Sequence, residues 1–198
     1  YKGKRVVESI PEQIIDLMYT TPYTMGAGDL TFEGALLANE FLIMRNGSKS
    51  ALGVYDASAD QIKRIENRTC YGIRPRNAEQ AFALNALLDR DIPLVTLSGK
   101  AGTGKTLLAL AAALEAKRYY RQIFLARPIV PLSNKDIGYL PGDINSKLDP
   151  YMQPLYDNLT VIHNHFSGKN GRSRCIEDLL AEEKIIVTPL SYIRGRSI

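Results

Sequence analysis

Four residues with fixed spacing in the middle of the chain could bind phosphate. Gly99, Gly104, Lys105 and Thr106 satisfy the pattern GxxxxGK[ST]. In this pattern the glycines let the backbone curl tightly, so that successive N–H groups point at an anion. The lysine ammonium can bridge the outer phosphates of a nucleotide, and the threonine hydroxyl can ligate Mg²⁺. The pattern predicts a phosphate-binding loop in which Thr106 is the metal ligand.

The residues on either side of the pattern predict the elements that would position it. The apolar run 94–97 predicts a short buried strand before the loop, and the apolar run 107–114 predicts a long helix after it. The start of such a helix offers unpaired N–H groups and the positive end of its dipole. We therefore expect the anion to lie against the backbone of Gly102, Thr103, Gly104, Lys105, Thr106 and Leu107.

Two further apolar runs, 123–126 and 185–188, predict more strands of the same sheet. Long helical stretches separate all three runs, and strands joined by such crossovers pair in parallel with helices on both faces of the sheet. The predicted fold class is α/β, a P-loop sheet over residues 73–198. Arg127 would then lie at the carboxyl end of a strand, where ligands bind in such sheets. Basic residues at 117, 118 and 121 suit the end of the preceding helix better than a nucleic-acid patch.

The sequence of residues 1–72 predicts a separate small unit that contains a β-hairpin. Two apolar runs, 41–44 and 51–55, flank an Asn-Gly pair at 46–47, which predicts a hairpin turn. Ser9 and Glu12 predict a capping box for a short helix over 10–19. This unit shows no cluster of catalytic or metal-binding residues, so we interpret it as a packing module. The alternative is a strand-based surface for single-stranded nucleic acid, which Tyr and Lys could serve.

Gln80 has two possible roles. Asn77 predicts the N-cap of a helix, and Gln80, three residues later, would complete a capping box. The side-chain amide also offers one donor and one acceptor, which match the N6 and N7 atoms of adenine. The spacing alone leaves both roles open.

Composition indicates a cytoplasmic protein with no membrane segment. The 198 residues are 45% hydrophobic and 23% charged, no apolar run approaches the roughly 20 residues of a membrane span, and no signal sequence opens the chain. Cys70 and Cys175 are too far apart for a metal motif, which favours reduced cysteines. A net charge of +4 permits a polyanionic partner without requiring one. Because the first residue is Tyr1, we expect a piece of a longer chain.

The order of several motifs resembles the PhoH-like P-loop ATPases, in particular the branch fused to an N-terminal PIN ribonuclease domain. Segments 39–41 and 50–53 resemble the region that joins the two domains. Besides the loop, the matching segments are 72–80, 126–128, 138–143, 147–151 and 192–197.

This resemblance implies a RecA-like core, ATP and Mg²⁺ as cofactors, a homo-oligomer in the form of a hexameric ring, and RNA as the substrate of the intact protein. It also implies that Gln80 recognises adenine. Arg194 and Arg196 become candidate catalytic residues beside Lys105, as arginine fingers that reach the γ-phosphate of a neighbouring subunit. The competing interpretation of the two arginines is a structural anchor at the edge of the sheet.

The leading hypothesis is an ATPase that drives RNA unwinding or feeds RNA to a linked ribonuclease. The alternatives are a small-molecule kinase, since phosphate-binding loops serve kinases too, and a non-catalytic assembly module switched by nucleotide. Hydrolysis needs an acidic residue at the end of a second apolar strand to hold the hydrated Mg²⁺. No apolar run of the predicted sheet ends in an acid. We expect that residue beyond Ile198, and we expect this chain to bind ATP without efficient hydrolysis.

Overall fold

The computed structural model describes residues 3–128, 144–167, 176–190 and 193, which fall into two compact units. The first, here called the β unit, comprises residues 1–68 and 74–86. The second, the P-loop unit, comprises residues 69–73 and 87–198. The domain boundary predicted between residues 72 and 73 remains a prediction, because compactness does not test independent folding.

The β unit is built on one five-stranded sheet. Its strands lie in the order β1-β3-β4-β5-β2, with β1 parallel to β3 and the other neighbours antiparallel. Helix α1 follows β1, and helix α2 begins after the last strand. The elements are β1 (Lys4–Val7), α1 (Glu12–Leu17), β2 (Thr24–Gly26), β3 (Phe41–Asn46), β4 (Lys49–Asp56), β5 (Gln61–Arg64) and α2 (Ala78–Leu88).

The predicted hairpin is confirmed, with a turn one residue later than expected. Strands β3 and β4 pair antiparallel with Asn46 opposite Lys49, which leaves Gly47 and Ser48 as a two-residue loop. Gly47 has a φ of 54° and occupies the first position of the loop. A type II′ turn requires glycine there, and its twist matches that of the flanking strands.

The predicted capping box at Ser9 is wrong. Helix α1 begins at Glu12, after Pro11, and no side chain caps its start. The reason is that the preceding residue is tied to the sheet: the Ile10 N–H donates to the Arg45 carbonyl at 3.1 Å, and the Asn46 amide donates to the Ile10 carbonyl at 2.8 Å. Pro11 also disfavours the helical conformation at Ile10, so the helix starts later.

Two apolar clusters stabilise the β unit. Phe82 of α2 stacks on Phe41 of β3 with 4.8 Å between the ring centroids, which joins the helix to the sheet beside Ile43 and Ile65. The other cluster fills the space between α1 and the sheet. Its buried members are Ile10, Ile15, Met18, Met25, Leu42, Met44, Ala51 and Ile62.

The P-loop unit is α/β, with a parallel pair of strands flanked by helices. Strands β6 and β7 pair in parallel with Ile123 opposite Ile185, as expected for strands joined by a long crossover. Helix α4 packs against both strands and against α3, and α5 packs against β7. The elements are α3 (Lys105–Ala116), β6 (Ile123–Arg127), α4 (Ile144–Ser167), α5 (Ile176–Ala181) and β7 (Ile185–Pro189).

The strand predicted over 94–97 is not formed among the described residues. Residues 92–100 have no regular secondary structure, and Leu94 is 78% exposed. An apolar run becomes a strand only when a neighbouring strand accepts and donates its backbone hydrogen bonds. In the described part of this unit, β6 and β7 make their ladder with each other. Strand formation here depends on tertiary pairing that the local sequence does not specify.

Helix α4 contains two prolines, a residue type that usually interrupts or kinks a helix. It extends continuously over Ile144–Ser167, with Pro150 and Pro154 inside. The same helix carries the two histidines of the chain, His163 and His165. Residues two apart on a helix point to different sides, so the pair does not form a bidentate metal motif. No described helix has the length and apolarity needed to cross a membrane.

Candidate functional site

Backbone conformation explains the glycines of the predicted phosphate loop. Gly102 has a φ of 76° and Gly104 a φ of 82°, values that residues with a Cβ adopt only at a cost. Gly104 is also the residue at which the chain enters helix α3. Together the two left-handed residues fold the segment back on itself immediately before the helix begins.

The first turn of α3 presents N–H groups toward this loop. Lys105, Thr106 and Leu107 are the first residues of the helix, so no carbonyl four residues earlier accepts their N–H groups within the helix. The residue before them, Gly104, has no side chain that could cap them. The positive end of the helix dipole adds to the same region. These features favour an anion at the start of α3.

Lys105 lies folded over the loop. Its Nζ donates to the Gly99 carbonyl at 2.9 Å and to the Lys100 carbonyl at 2.7 Å, and lies 3.4 Å from the Thr103 hydroxyl oxygen. The Thr103 hydroxyl in turn donates to the Lys100 carbonyl at 2.9 Å. All three partners of the ammonium are neutral oxygens. A phosphate could therefore replace them as a stronger, charged acceptor.

Thr106 is exposed on the first turn of α3, in the position expected for the Mg²⁺ ligand. Among the described residues no group of three or more His, Cys, Asp or Glu could hold a metal ion. Mg²⁺ at phosphate sites keeps several waters and takes only one or two protein ligands. A single hydroxyl is a suitable protein contribution to such a site.

Gln80 lies in the β unit and caps helix α2. The Asn77 Oδ1 accepts the Gln80 N–H at 2.9 Å, and the Gln80 Oε1 accepts the Arg76 N–H at 2.8 Å. The capping role is confirmed with one difference from a standard capping box. The N–H that donates to the Gln80 side chain belongs to Arg76 and not to Asn77. Adenine recognition by Gln80 remains a prediction.

Other predicted residues fall outside the described part of the chain or at its edge. Arg194, Arg196 and the segment 138–143 lie outside the described residues, so their roles stay predictions. Arg127 is the last residue of β6 and is exposed. Its position at the carboxyl end of a parallel strand is the one predicted.

The structure also brings together a set of residues that are far apart in the sequence. A cavity of about 310 Å³ lies at the amino ends of β6 and β7. The sequence pattern assigns the basic residues after α3 to helix capping and gives no role to Lys184. The available signal is the run of Lys, Arg and Tyr at 117–121, but only the pairing of β6 with β7 adds Lys184 to it. The residues that line the cavity are Lys117, Tyr120, Arg121, Gln122, Ile123, Leu179, Lys184 and Ile185.

The chain is similar to known proteins over most of its length. A family model described as PhoH-like protein matches residues 72–198. Protein PhoH2 of Bacillus subtilis (strain 168) is 49% identical over 172 residues, which cover 83% of this chain and 38% of that protein. Protein PhoH2 of Mycolicibacterium smegmatis is 35% identical over 182 residues, covering 90% of this chain and 40% of that protein.

A PhoH-like protein of Synechocystis is 35% identical over 128 residues, covering 64% of this chain and 36% of that protein. The chain thus spans roughly two fifths of the length of these curated relatives. No solved structure shows significant similarity to the chain.

Proposed function

Because the chain belongs to the PhoH-like protein family, we propose that it is the ATP-binding part of an ATPase that acts on RNA. The observation that carries the proposal is the position of the Lys105 ammonium, held over a glycine-rich loop at the start of α3. In the intact protein, ATP turnover would drive the unwinding of RNA or its delivery to a linked ribonuclease of the PIN type.

Each residue of the loop has a distinct part in this proposal. The N–H groups from Gly102 to Leu107 surround the β-phosphate, and Lys105 leaves its loop carbonyls to contact the β- and γ-phosphates. The Thr106 hydroxyl holds Mg²⁺, which when bound neutralises charge that develops on the transferred phosphoryl group. Phosphoryl transfer needs mainly positioning and charge stabilisation, and these are the contributions that backbone N–H groups and an ammonium can make.

We propose three further assignments, which the resemblance to the family supports. Gln80 recognises adenine, Arg194 and Arg196 reach the γ-phosphate of a neighbouring subunit, and the assembled form is a hexameric ring. An oligomer is consistent with arginines supplied in trans, since such a residue completes a site that its own subunit does not contain. The cytoplasm is the proposed location.

Two other functions use the same loop. A small-molecule kinase would transfer the γ-phosphoryl group to an acceptor other than water, and a nucleotide-switched module would assemble on binding ATP without turnover. A radiolabel-transfer assay beside RNA-stimulated hydrolysis in the intact protein separates these alternatives. Label on a small molecule supports the kinase, and assembly without any turnover supports the module.

Replacing Lys105 tests the proposal at its centre. Lys105→Ala removes the charged contact to the outer phosphates, and we expect ATP with Mg²⁺ to bind roughly 30- to 150-fold more weakly, the equivalent of about 2–3 kcal/mol. Isothermal titration of the chain measures this change. Lys100→Ala is the matched control, because it removes an equal charge from the same loop without removing the ammonium at its centre. Equal ATP affinity in wild-type chain and a folded Lys105→Ala variant would contradict the assignment.

A further inference from the structure

The cavity at the amino ends of β6 and β7 has the chemistry of a second binding site. Its floor is apolar, since Leu179 and Ile185 are each only 3% exposed and Ile123 lies beside them. Among the described residues, three cations (Lys117, Arg121 and Lys184) line it and no carboxylate does. A ligand that fits must combine an apolar or planar part with negative charge.

Helix capping does not account for this arrangement. Lys117 and Arg118 lie in the 3₁₀ turn that ends α3 and can serve its dipole. Arg121 follows that turn, and Lys184 comes from the segment before β7, more than 60 residues later. Neither Arg121 nor Lys184 forms an ion pair with any described residue. Two cations from separate segments therefore line one cavity, and no carboxylate among the described residues lines it with them.

The acids nearby in the sequence do not line the cavity among the described residues. Glu115 accepts the Tyr71 N–H at 2.9 Å. Glu182 and Glu183 are exposed and precede Lys184, but they do not line the cavity. Gln122 is anchored at the cavity wall because its amide donates to the Glu183 carbonyl at 3.1 Å. The cavity surface itself thus carries positive charge.

Exposed aromatic rings adjoin the cations. Tyr120 lines the cavity with 57% of its surface exposed. Next to it, Tyr119 is 50% exposed, and the guanidinium carbons of Arg90 and Arg118 each lie 4.7 Å from the centroid of its ring. Alternating cations and exposed aromatic rings are what surfaces for single-stranded nucleic acid offer, because bases stack on the rings while cations contact the phosphates.

We propose that this cavity binds one nucleotide of a single-stranded RNA, with the base against Tyr120 and the apolar floor and the phosphates against Arg121 and Lys184. The proposal rests on the RNA partner of the proposed function, but it concerns a site distinct from the phosphate loop. Helix α3 connects the two: the loop lies at its start and the cavity at its end, a span of roughly 18 Å for 12 residues. The cavity is also at the opposite end of the strands from the usual ligand edge.

Charge reversal tests the proposal in the chain of residues 1–198. Arg121→Glu and Lys184→Glu should each weaken the binding of a fluorescent dodecauridylate about tenfold. The slope of log affinity against log salt should become shallower by about 0.7 for each phosphate that the variant no longer neutralises. Arg68→Glu is the matched control, because Arg68 is exposed in the β unit and its substitution by Glu makes the same change in charge. It should keep the wild-type affinity and slope.

The aromatic contact has its own test. Tyr120→Ala should bind the dodecamer about tenfold more weakly, and Tyr120→Phe should restore the affinity, because stacking requires the ring and not the hydroxyl. Thermal unfolding of every variant checks that the fold is retained. Wild-type affinity in both charge reversals, or an equally weakened affinity in Arg68→Glu, would overturn the proposal.

The source of the nucleotide and the function of the phosphate loop are tested separately. Uridine monophosphate should compete only weakly with the dodecamer; if it binds this cavity as tightly, a free nucleotide is the occupant and the RNA proposal is overturned. ATP titration should be unchanged in Arg121→Glu and Lys184→Glu. An absence of ATP binding in the wild-type chain would instead count against the function proposed for the loop.

Discussion

At the scale of single residues, charged side chains in the two units are held in contrasting ways. Glu40 is 7% exposed, and its carboxylate accepts from the Arg5 guanidinium at 3.0 Å and the Leu37 N–H at 2.9 Å. A buried charge persists only with such complete pairing. Among the described residues, by contrast, the Lys105 ammonium contacts only neutral oxygens. The first arrangement suits a structural role and the second suits exchange for a charged ligand.

The carboxylate of Asp56 in the β unit is held in a third way, by donors from nearby residues. The Lys63 ammonium and the Ser58 hydroxyl and N–H all donate to the Asp56 carboxylate and hold the pKa of that group well below its usual range. The depressed pKa favours the folded state above the ordinary carboxyl pKa, and this contribution is lost as the pH falls through the folded pKa. These contacts give Asp56 a structural role where β4 ends and the chain turns toward β5.

The two roles of Gln80 can be separated by mutation. If Gln80 recognises adenine, Gln80→Ala should weaken the binding of ATP much more than the binding of inosine triphosphate, which lacks the N6 amino group. If Gln80 serves only as a cap, Gln80→Ala should lower the free energy of unfolding by about 1 kcal/mol and leave the nucleotide preference unchanged. Asn77→Ala removes only the cap and is the matched control. Isothermal titration with both nucleotides, beside urea unfolding, measures the two effects.

At the scale of elements, close packing between β4 and β5 restricts one position to glycine. A Cβ added to Gly53 would lie 2.6 Å from the Ile62 Cγ2 and 3.3 Å from the Met44 Cε. Both neighbours are fully buried, and Ile62 is β-branched, so its methyl group has little freedom to move. The glycine is needed for the approach of neighbouring side chains and not for its backbone angles.

Gly53→Ala should therefore destabilise the β unit by about 1–3 kcal/mol, the usual cost of overpacking a core. Gly28→Ala is the control, because a Cβ there meets nothing within 4 Å and no unusual φ is required. It should change the free energy of unfolding by less than about 0.5 kcal/mol. Urea unfolding of the two variants beside wild type gives the comparison. Equal stability of Gly53→Ala and wild type would show that the sheet relaxes at no cost.

At the scale of the whole molecule, the chain matches only part of the length of its curated relatives. It spans roughly two fifths of its curated relatives, and neither described strand of the P-loop unit ends in an acid: β6 ends at Arg127 and β7 at Pro189. Binding and turnover can therefore have different requirements. In the proposed function the described residues supply the phosphate contacts, and turnover in the intact protein would draw on further groups.

The proposed arginine fingers give a prediction for the intact oligomer. A full-length Arg196→Ala protein should still bind ATP and assemble, but its turnover should fall by about 10³-fold or more, the scale of removing an arginine finger. Mixing it with Lys105→Ala subunits should partly restore turnover. In the mixed interfaces one subunit supplies an intact loop and its neighbour an intact arginine. Steady-state hydrolysis at varied mixing ratios measures this, and an absence of recovery would favour the structural-anchor role.

Local patterns determined much of this protein. The spacing of Gly99, Gly104, Lys105 and Thr106 predicted the loop and the helix that follows, because φ values and helix starts depend on neighbouring residues. The hairpin at 46–49 and the strands β6 and β7 were predicted for the same reason.

The tertiary structure determined those features that depend on contacts between residues far apart in the chain. Residues 94–97 have the composition of a strand but form no ladder with any described strand. Ser9 precedes a helix but is kept from capping it by the bonds of Ile10 to β3. Lys184 joins Arg121 at one cavity only because β6 pairs with β7. In each case the outcome depends on hydrogen bonds or contacts between residues far apart in the chain, which a local pattern cannot specify.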